Sequence, residues 1–289
     1  MTTVSIIGAG RLGTALGTAL SRIGYRIRAL SCRTRLSAEE SRRIIGEGTP
    51  LTDNRAAAEG SSMVFLTVPD DTIPQVAEEL ASGGRDWTGV TCLHCSGLLS
   101  SLALKPLAQQ GALCASLHPM QSFACKKAEP GSFSGIFMGL EGDPSARKKA
   151  RAIAESLGGR PFTLAAEDKP LYHAACSVAS NLLVPLLHHA GSLLRRTGIP
   201  QDDRLEALLP LVQGTLQNVK EFDAAGALTG PLARGDEISL RLHMEALSEF
   251  PGTLRVYREM SIAALELALT EKIIDRGTCD RLKALLEGK

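Results

Sequence analysis

Aromatic residues are scarce in this 289-residue chain: seven Phe, three Tyr and one Trp amount to 4% of it. So few rings exclude the stacking platforms that grip single-stranded nucleic acid. An excess of charge is missing too. Thirty-two Lys and Arg face 31 Asp and Glu, a formal +1, so there is no general basic face and no nucleic-acid partner is expected. Long apolar runs are also lacking. The best, residues 178–190, is interrupted by Asn181, Pro185 and His188-His189. That falls short of the roughly 18–20 residues of a span, so no membrane partner is expected. No basic segment precedes an apolar stretch at the start, where a strand pattern begins at once. Seven cysteines, an odd and scattered set, form no disulfide framework. The expectation is a cytoplasmic, globular protein.

What is present is an ordinary globular composition, 44% hydrophobic and 22% charged, in a chain long enough for about two domains. Over residues 1–166 short β-branched runs (4–7, 25–30, 63–68, 90–93, 113–117, with weaker ones at 137–140 and 162–164) alternate with helical stretches. Residues 12–23 and 145–157 are the clearest helices. Such alternation predicts right-handed crossovers and an α/β fold, a doubly wound, mostly parallel Rossmann-type sheet. Over residues 167–289 the pattern is helical throughout: a long stretch from a cap at Asp168 to about 197, possible to bend at Pro185, then 204–225, 237–249, 253–268 and 271–287. This second, all-helical domain is expected to serve substrate binding and dimerisation. Its long apolar helices suit a homodimer, and a closed monomeric core is the alternative.

Gly8-Ala9-Gly10-Arg11-Leu12-Gly13 is a G-x-G-x-x-G turn that follows a strand and opens a helix. In that context Gly8 gives the tight turn, Gly10 lets backbone approach a pyrophosphate, and Gly13 packs helix on strand. The helix N-terminus at Arg11 and Leu12 then offers free N–H groups to the diphosphate. Ser31-Cys32-Arg33-Thr34-Arg35 ends the second strand, with no acid until Glu39. An NAD site places a carboxylate there, whereas hydroxyls such as Ser31 and guanidiniums such as Arg33 suit a 2′-phosphate. NADP(H) is therefore the expected cofactor. Val68-Pro69-Asp70-Asp71 closes another strand and should line the nicotinamide side, since ligands sit beyond the carboxyl ends of such strands; a turn with a helix cap is the plainer reading.

Two later strand ends are polar: His94-Cys95-Ser96-Gly97 and His118-Pro119-Met120-Gln121-Ser122-Phe123. Cys92, His94 and Cys95 invite a metal reading, but Cys92 and Cys95 point to opposite faces of a strand and no second pair completes four ligands, so no metal is expected. On the first helix of the second domain, Lys169, His173, Cys176, Ser177 and Ser180 share a stripe at about 100° per residue, with Asn181 at its margin. Reduction of a carbonyl or imine needs a proton donor as hydride arrives. His173 is the preferred donor, with His118 and Lys169 as the other candidates, Asn181 as a catalytic neighbour and Ser96 and Ser177 as substrate contacts. Thr229-Gly230-Pro231-Leu232-Ala233-Arg234-Gly235-Asp236 is a stiff turn in which Asp236 caps the next helix and Arg234 is a candidate contact for an anionic substrate.

These segments, taken together with Leu171-Tyr172-His173-Ala174-Ala175 and Ala179-Ser180-Asn181, resemble a bacterial family that pairs a Rossmann-like NADP-binding domain with a helical domain of unknown function. The resemblance spans essentially the whole chain. It implies a fold related to pyrroline-5-carboxylate reductase, ketopantoate reductase and the β-hydroxyacid dehydrogenases, and no particular substrate. In one respect the chain departs from the dehydrogenases, which carry a catalytic Lys followed four residues later by Asn. Here His173 stands four after Lys169 and Asn181 twelve after it, so the Lys role does not carry over. Two functions remain: an NADP(H)-dependent oxidoreductase reducing a small-molecule carbonyl or imine, and a non-catalytic NADP-binding sensor or assembly partner on the same fold.

Overall fold

The computed structural model describes residues 2–127 and 129–288. Strand and helix alternate as β1 (Thr3–Ile7), α1 (Arg11–Arg22), β2 (Arg26–Ser31), α2 (Arg35–Ile45), β3 (Thr49–Leu51), α3 (Asn54–Ala58), β4 (Met63–Leu66), α4 (Ile73–Ala81), β5 (Thr91–His94), α5 (Lys105–Gln109), β6 (Leu113–Pro119), β7 (Phe137–Gly142), α6 (Pro144–Ser156) and β8 (Arg160–Thr163). They form one eight-stranded sheet in the order β3-β2-β1-β4-β5-β6-β7-β8. Every pairing is parallel except β6 with β7, where Pro119 lies opposite Met138. The sheet is α/β and Rossmann-like. The short β3 has no counterpart in the periodicity: three residues, one of them Pro50, carry too little alternation to read.

Both faces of the sheet are covered, so its strands are continuously apolar. Ile6, Phe65, Leu93 and Leu117 pack under α1, α2 and α6. Ile7, Val64, Leu66 and Cys92 pack on the other face under α3, α4 and α5. The alternation follows from the two-residue period of a strand, and it sends Cys92 and Cys95 to opposite cores. Phe65 is wholly buried; truncating it to Ala should cost about 3–5 kcal/mol.

The helical run that follows comprises α7 (Lys169–Cys176), a π turn (Ser177–Asn181), α8 (Leu183–Leu193) and a short 3₁₀ end. Two expectations change here. Asp168 makes no capping bond through its side chain. The irregularity falls upstream of Pro185, because that ring has no N–H to donate to the carbonyl of Asn181 four residues earlier. The whole run, Lys169–Arg196, is long and apolar enough to cross a membrane by length and composition, although Asn181, Pro185 and the His pair interrupt it.

The chain divides into two compact units, residues 1–180 and 181–289. The division lies inside this helical run, so α7 is counted with the sheet. The second unit continues with α9 (Arg204–Gly226), α10 (Pro231–Arg234), α11 (Glu237–Leu247), α12 (Pro251–Thr270) and α13 (Arg276–Glu287). Its core is Leu240, Leu265, Ala268, Cys279, Leu282 and Leu286. Asp236 caps α11 by accepting from Ser239 N–H at 3.0 Å, as expected. The last helix starts later than its periodicity suggests, at Arg276, because Asp275 takes the N-cap and accepts from Thr278 N–H at 2.8 Å. Asp223, with φ of 62°, kinks α9 near its end. Among the described residues none in α8 or α9 is buried.

Candidate active site

The turn after β1 is set by contacts that forbid side chains. Gly8 has φ of +87°, and a Cβ there would sit 2.5 Å from Val68 Cγ1 and 2.8 Å from Val68 N. A Cβ on Gly13 would meet Thr67 Oγ1 at 2.4 Å and Gly8 O at 2.8 Å, so α1 packs directly on the β1 and β4 ends. Gly10 is different. Its nearest neighbour would be Gly8 O at 3.8 Å, so within the protein a side chain fits, and the bareness serves whatever approaches from outside. Gly8 and Ala9 N–H donate to Ser31 O at 3.0 and 2.8 Å, which ties the turn to β2.

Beyond this turn lies a cavity of about 780 Å³. Gly8 and Gly10 form one wall, Cys32, Arg33, Thr34 and Ser37 a second, and Thr67, Val68, Pro69 and Thr72 a third. The volume suits a large part of a dinucleotide. The residues fit one: bare backbone at Gly10, a helix N-terminus with no side-chain cap, and the Arg33 guanidinium at the end of β2.

Two expected contacts are not in this wall. Ser31 is fully buried, and its hydroxyl donates to Asn54 Oδ1 at 2.7 Å, so it braces β2 and does not reach a ligand. Arg35 turns away, donating to Glu39 Oε1 and to Pro50 O. Arg11, Leu12 and Asp70 flank the cavity in sequence without lining it. Ser37, hidden from the sequence reading, lines it because α2 begins there.

Further along the carboxyl edge, side chains from β5, β6 and α7 converge. Lys169 is fully buried, and its Nζ donates to Ser96 O at 3.0 Å and Ser116 Oγ at 2.7 Å. Burial lowers its pKa to about 8, although the carboxylates of Glu141 and Asp70 oppose the fall. The effect of Asp70 links this cluster to the turn that closes the cavity. Tyr172 OH and His118 Nδ1 are 2.7 Å apart, with the rings edge to face at 5.4 Å. The His118 and His173 ring centres are 6.3 Å apart. Gly97 lies between them: a Cβ there would be 2.9 Å from His118 Cε1 and Nε2 and from His173 Cδ2.

Burial, then the Lys169 charge, then His173 lower His118 to about 4, so it is neutral near pH 7. Burial pushes the Tyr172 phenol well above its ordinary range, so it keeps its proton. The assignment that satisfies both has Tyr172 donating to Nδ1, leaving the imidazole proton on Nε2, the atom beside Gly97.

His94 belongs elsewhere. It is wholly buried and, by burial first and the Lys169 charge second, is lowered to about 3. Its Nδ1 accepts from Ser96 N–H at 3.1 Å, which leaves Nε2 to donate to Ser100 O at 3.1 Å. The Ser96 hydroxyl accepts from Leu98 and Leu99 N–H at 3.1 and 2.9 Å. His94 and Ser96 therefore staple the turn, and the expected substrate contact at Ser96 is replaced by a structural one.

The polar stripe on α7 faces inward at Lys169, whereas the apolar Leu171 of the same helix is 76% exposed and Val178, in the π turn that follows, 64%. Tyr172 was missed although it stands three residues after Lys169, on the same face of a helix. The π turn shifts the register at Ser177, so Ser180 and Asn181 are exposed. Asn181 and Arg234, which is also exposed, lie in the second unit.

A Rossmann-like domain model matches residues 1–119 and a model for DUF2520, a domain of unknown function, matches 136–264. The chain pairs a Rossmann-like domain with a DUF2520 domain. No curated protein matches it in sequence. A candidate NADP oxidoreductase from Bacteroides fragilis is 26% identical, with a TM-score of 0.76 over 91% of this chain and 97% of that one. An imine reductase from Myxococcus stipitatus, solved with NADP+, is 20% identical with a TM-score of 0.58 over 100% and 93%. A pyrroline-5-carboxylate reductase from Coxiella burnetii is 18% identical with a TM-score of 0.56 over 97% and 98%. The last two establish likeness of fold, and the second of them bears out the fold resemblance to pyrroline-5-carboxylate reductase that the motifs implied.

Proposed function

We propose that this Rossmann-like/DUF2520 protein is an NADP(H)-dependent oxidoreductase that reduces a small carbonyl or imine compound. The observation that carries the reading is the adjacency, along one carboxyl edge, of a glycine-built cavity and a cluster of basic side chains tuned by burial. The name of the Bacteroides fragilis protein supports the same reading. NADPH, when bound, supplies a hydride. The Gly8–Gly13 turn and Arg33 hold the dinucleotide, with Val68 and Pro69 against the nicotinamide side.

His173 gives the proton: it is half-buried beside Gly97, with its ring centre 6.3 Å from that of His118. His118, neutral and with its proton on Nε2, orients the polar atom of the substrate. Lys169 has no exposed surface, so it acts through its neighbours, as a positioning residue whose charge adds to burial in holding the His118 pKa down. Ser177 is assigned to the far end of the substrate by residue type.

The experiment is NADPH oxidation over a panel of small oxo acids, cyclic imines and aldehydes, with His173→Ala as the diagnostic variant. Turnover should fall by about 10²–10⁴ while NADPH still binds, the usual range for loss of a general acid. Near-normal turnover would move the role to His118. A chain that binds NADPH and reduces none of the panel is the sensor instead.

The same proposal includes a homodimer in a reducing, cytoplasmic compartment, in keeping with seven free cysteines. Leu205, Leu211, Leu216 and Phe222 of α9 are each more than half exposed, as are Leu171, Val178, Leu182 and Val184 of the preceding helical run. A second copy of the chain is the occupant proposed for these faces. Light scattering should give twice the 30.6 kDa chain mass. A monomer, or a chain soluble only in detergent, overturns it.

A further inference from the structure

We infer that Lys126, in the segment between β6 and β7, is a second basic determinant of NADP(H) preference beside Arg33, acting on the cofactor phosphate through Ser37. The inference rests on the NADP(H) reading above. Lys126 is 89 positions from Ser37 in sequence, yet its Nζ donates to Ser37 Oγ at 2.8 Å and to Ser37 O at 3.0 Å. It also meets Glu40 Oε2 at 2.8 Å. The lysine side chain is only 17% exposed, against 52% for Glu40. A surface ammonium usually stays in water; this one is drawn onto the first turn of α2.

That turn borders the cavity. Ser37 lines it together with Arg33 and Thr34, so the ammonium stands one hydroxyl behind the wall at which the sequence predicts a 2′-phosphate. Ser37 Oγ accepts from Lys126, which leaves the hydroxyl proton free to donate into the cavity, and a donor polarised by a cation makes the stronger bond to a phosphate oxygen. The first turn of α2 carries no acidic residue. Glu40, one turn on, is the group that offsets the charge of Lys126, and Lys126 in turn holds the Glu40 carboxyl below its usual range. Arg35, the other basic residue of the loop, is engaged with Glu39 and Pro50 O. The local supply of positive charge is therefore Arg33 from the loop and Lys126 from across the fold.

The test is binding of NADPH and NADH in parallel, followed by nicotinamide fluorescence, to the intact protein and to Lys126→Met, Lys126→Arg and Glu40→Gln. Lys126→Met should weaken NADPH about tenfold, in line with loss of one charge-assisted contact, and leave NADH within about twofold. Lys126→Arg should restore most of the preference, and Glu40→Gln should tighten NADPH without changing NADH. Raising the salt concentration should narrow the gap between the parent and Lys126→Met. The inference is overturned if Lys126→Met leaves NADPH affinity unchanged, or if it weakens both cofactors equally, because the lysine then only braces the loop. A parent protein that binds NADH as tightly as NADPH removes the NADP(H) reading itself, a result separable from either.

Discussion

At the β1–β4 end of the sheet the cavity is made by near neighbours in sequence and by atoms that are missing: no side chain at Gly8, Gly10 or Gly13. At the β5–β6 end the cluster is made by residues gathered from several elements: Gly97, Ser116 and Lys169, which are buried, and His118, Tyr172 and His173, which are partly so. The first region is open and its electrostatics come from backbone and one guanidinium. The second is largely desolvated: burial, more than any neighbouring charge, moves Lys169 to about 8 and His118 to about 4, with the Lys169 charge adding to the His118 shift. A site of the first kind binds; one of the second kind is suited to handling protons.

The largest effect should come from Gly10→Val, which separates the two regions completely. Its Cβ meets nothing nearer than 3.8 Å in the protein, so the fold should survive while dinucleotide binding falls more than about 100-fold by steric exclusion. Unchanged binding in a fluorescence titration would make the loop a mere turn.

Gly97→Ala attacks the other region. The new methyl must displace both imidazoles, which start at 2.9 Å from it, so turnover should fall about tenfold or more with NADPH affinity unchanged. A variant that turns over normally would separate the His118–His173 pair from the chemistry.

Smaller is the pH dependence of stability. His94 and His118 have folded pKa values of about 3 and 4, below their ordinary 6.5, so the unfolded chain binds more protons between those values. Stability should therefore rise with pH from about 4 to 6.5, His118 contributing on the order of 3 kcal/mol at 1.36 kcal/mol per pKa unit. Lys169 works in the same direction in alkali, adding stability as pH rises from about 8 toward 10.5. Thermal melts across pH with His118→Gln check the acid limb, which should flatten. The smallest effect is Lys169→Met: His118 should titrate higher by NMR yet stay below 6.5, because burial remains the main cause of its shift.

The contrast also explains what could be read from the sequence. The glycine turn, the alternating elements and the cofactor loop are local, and local patterns survive in one dimension. The cluster depends on the order of strands and on which face of α7 meets the sheet. Lys169, His118 and His173 stood out by residue type, but Tyr172 and Ser116 look ordinary until β6 and α7 are packed together. His94 looked like His118 and has a different duty, since only the turn geometry distinguishes a ring whose two nitrogens are both used. Ser31 and Arg35 were misread for the same reason: their partners, Asn54 and Pro50, come from the next crossover.

One exception to the parallel sheet has a wider consequence. Because β7 runs against β6, with Met138 opposite Pro119, the chain leaves and re-enters the sheet on the same edge. A parallel connection must travel back across a face and is held there as packed structure. The Pro119–Phe137 connection is spared that crossing and meets the core at Phe133, with Phe123 and Ile136 packed against the same cluster. Away from those three residues its length and composition can drift with little cost to folding, and since it ends on the ligand side, each change is felt first by whatever binds there. In proteins of this architecture it is the stretch of chain best placed to let related sequences part ways in what they recognise while keeping one scaffold.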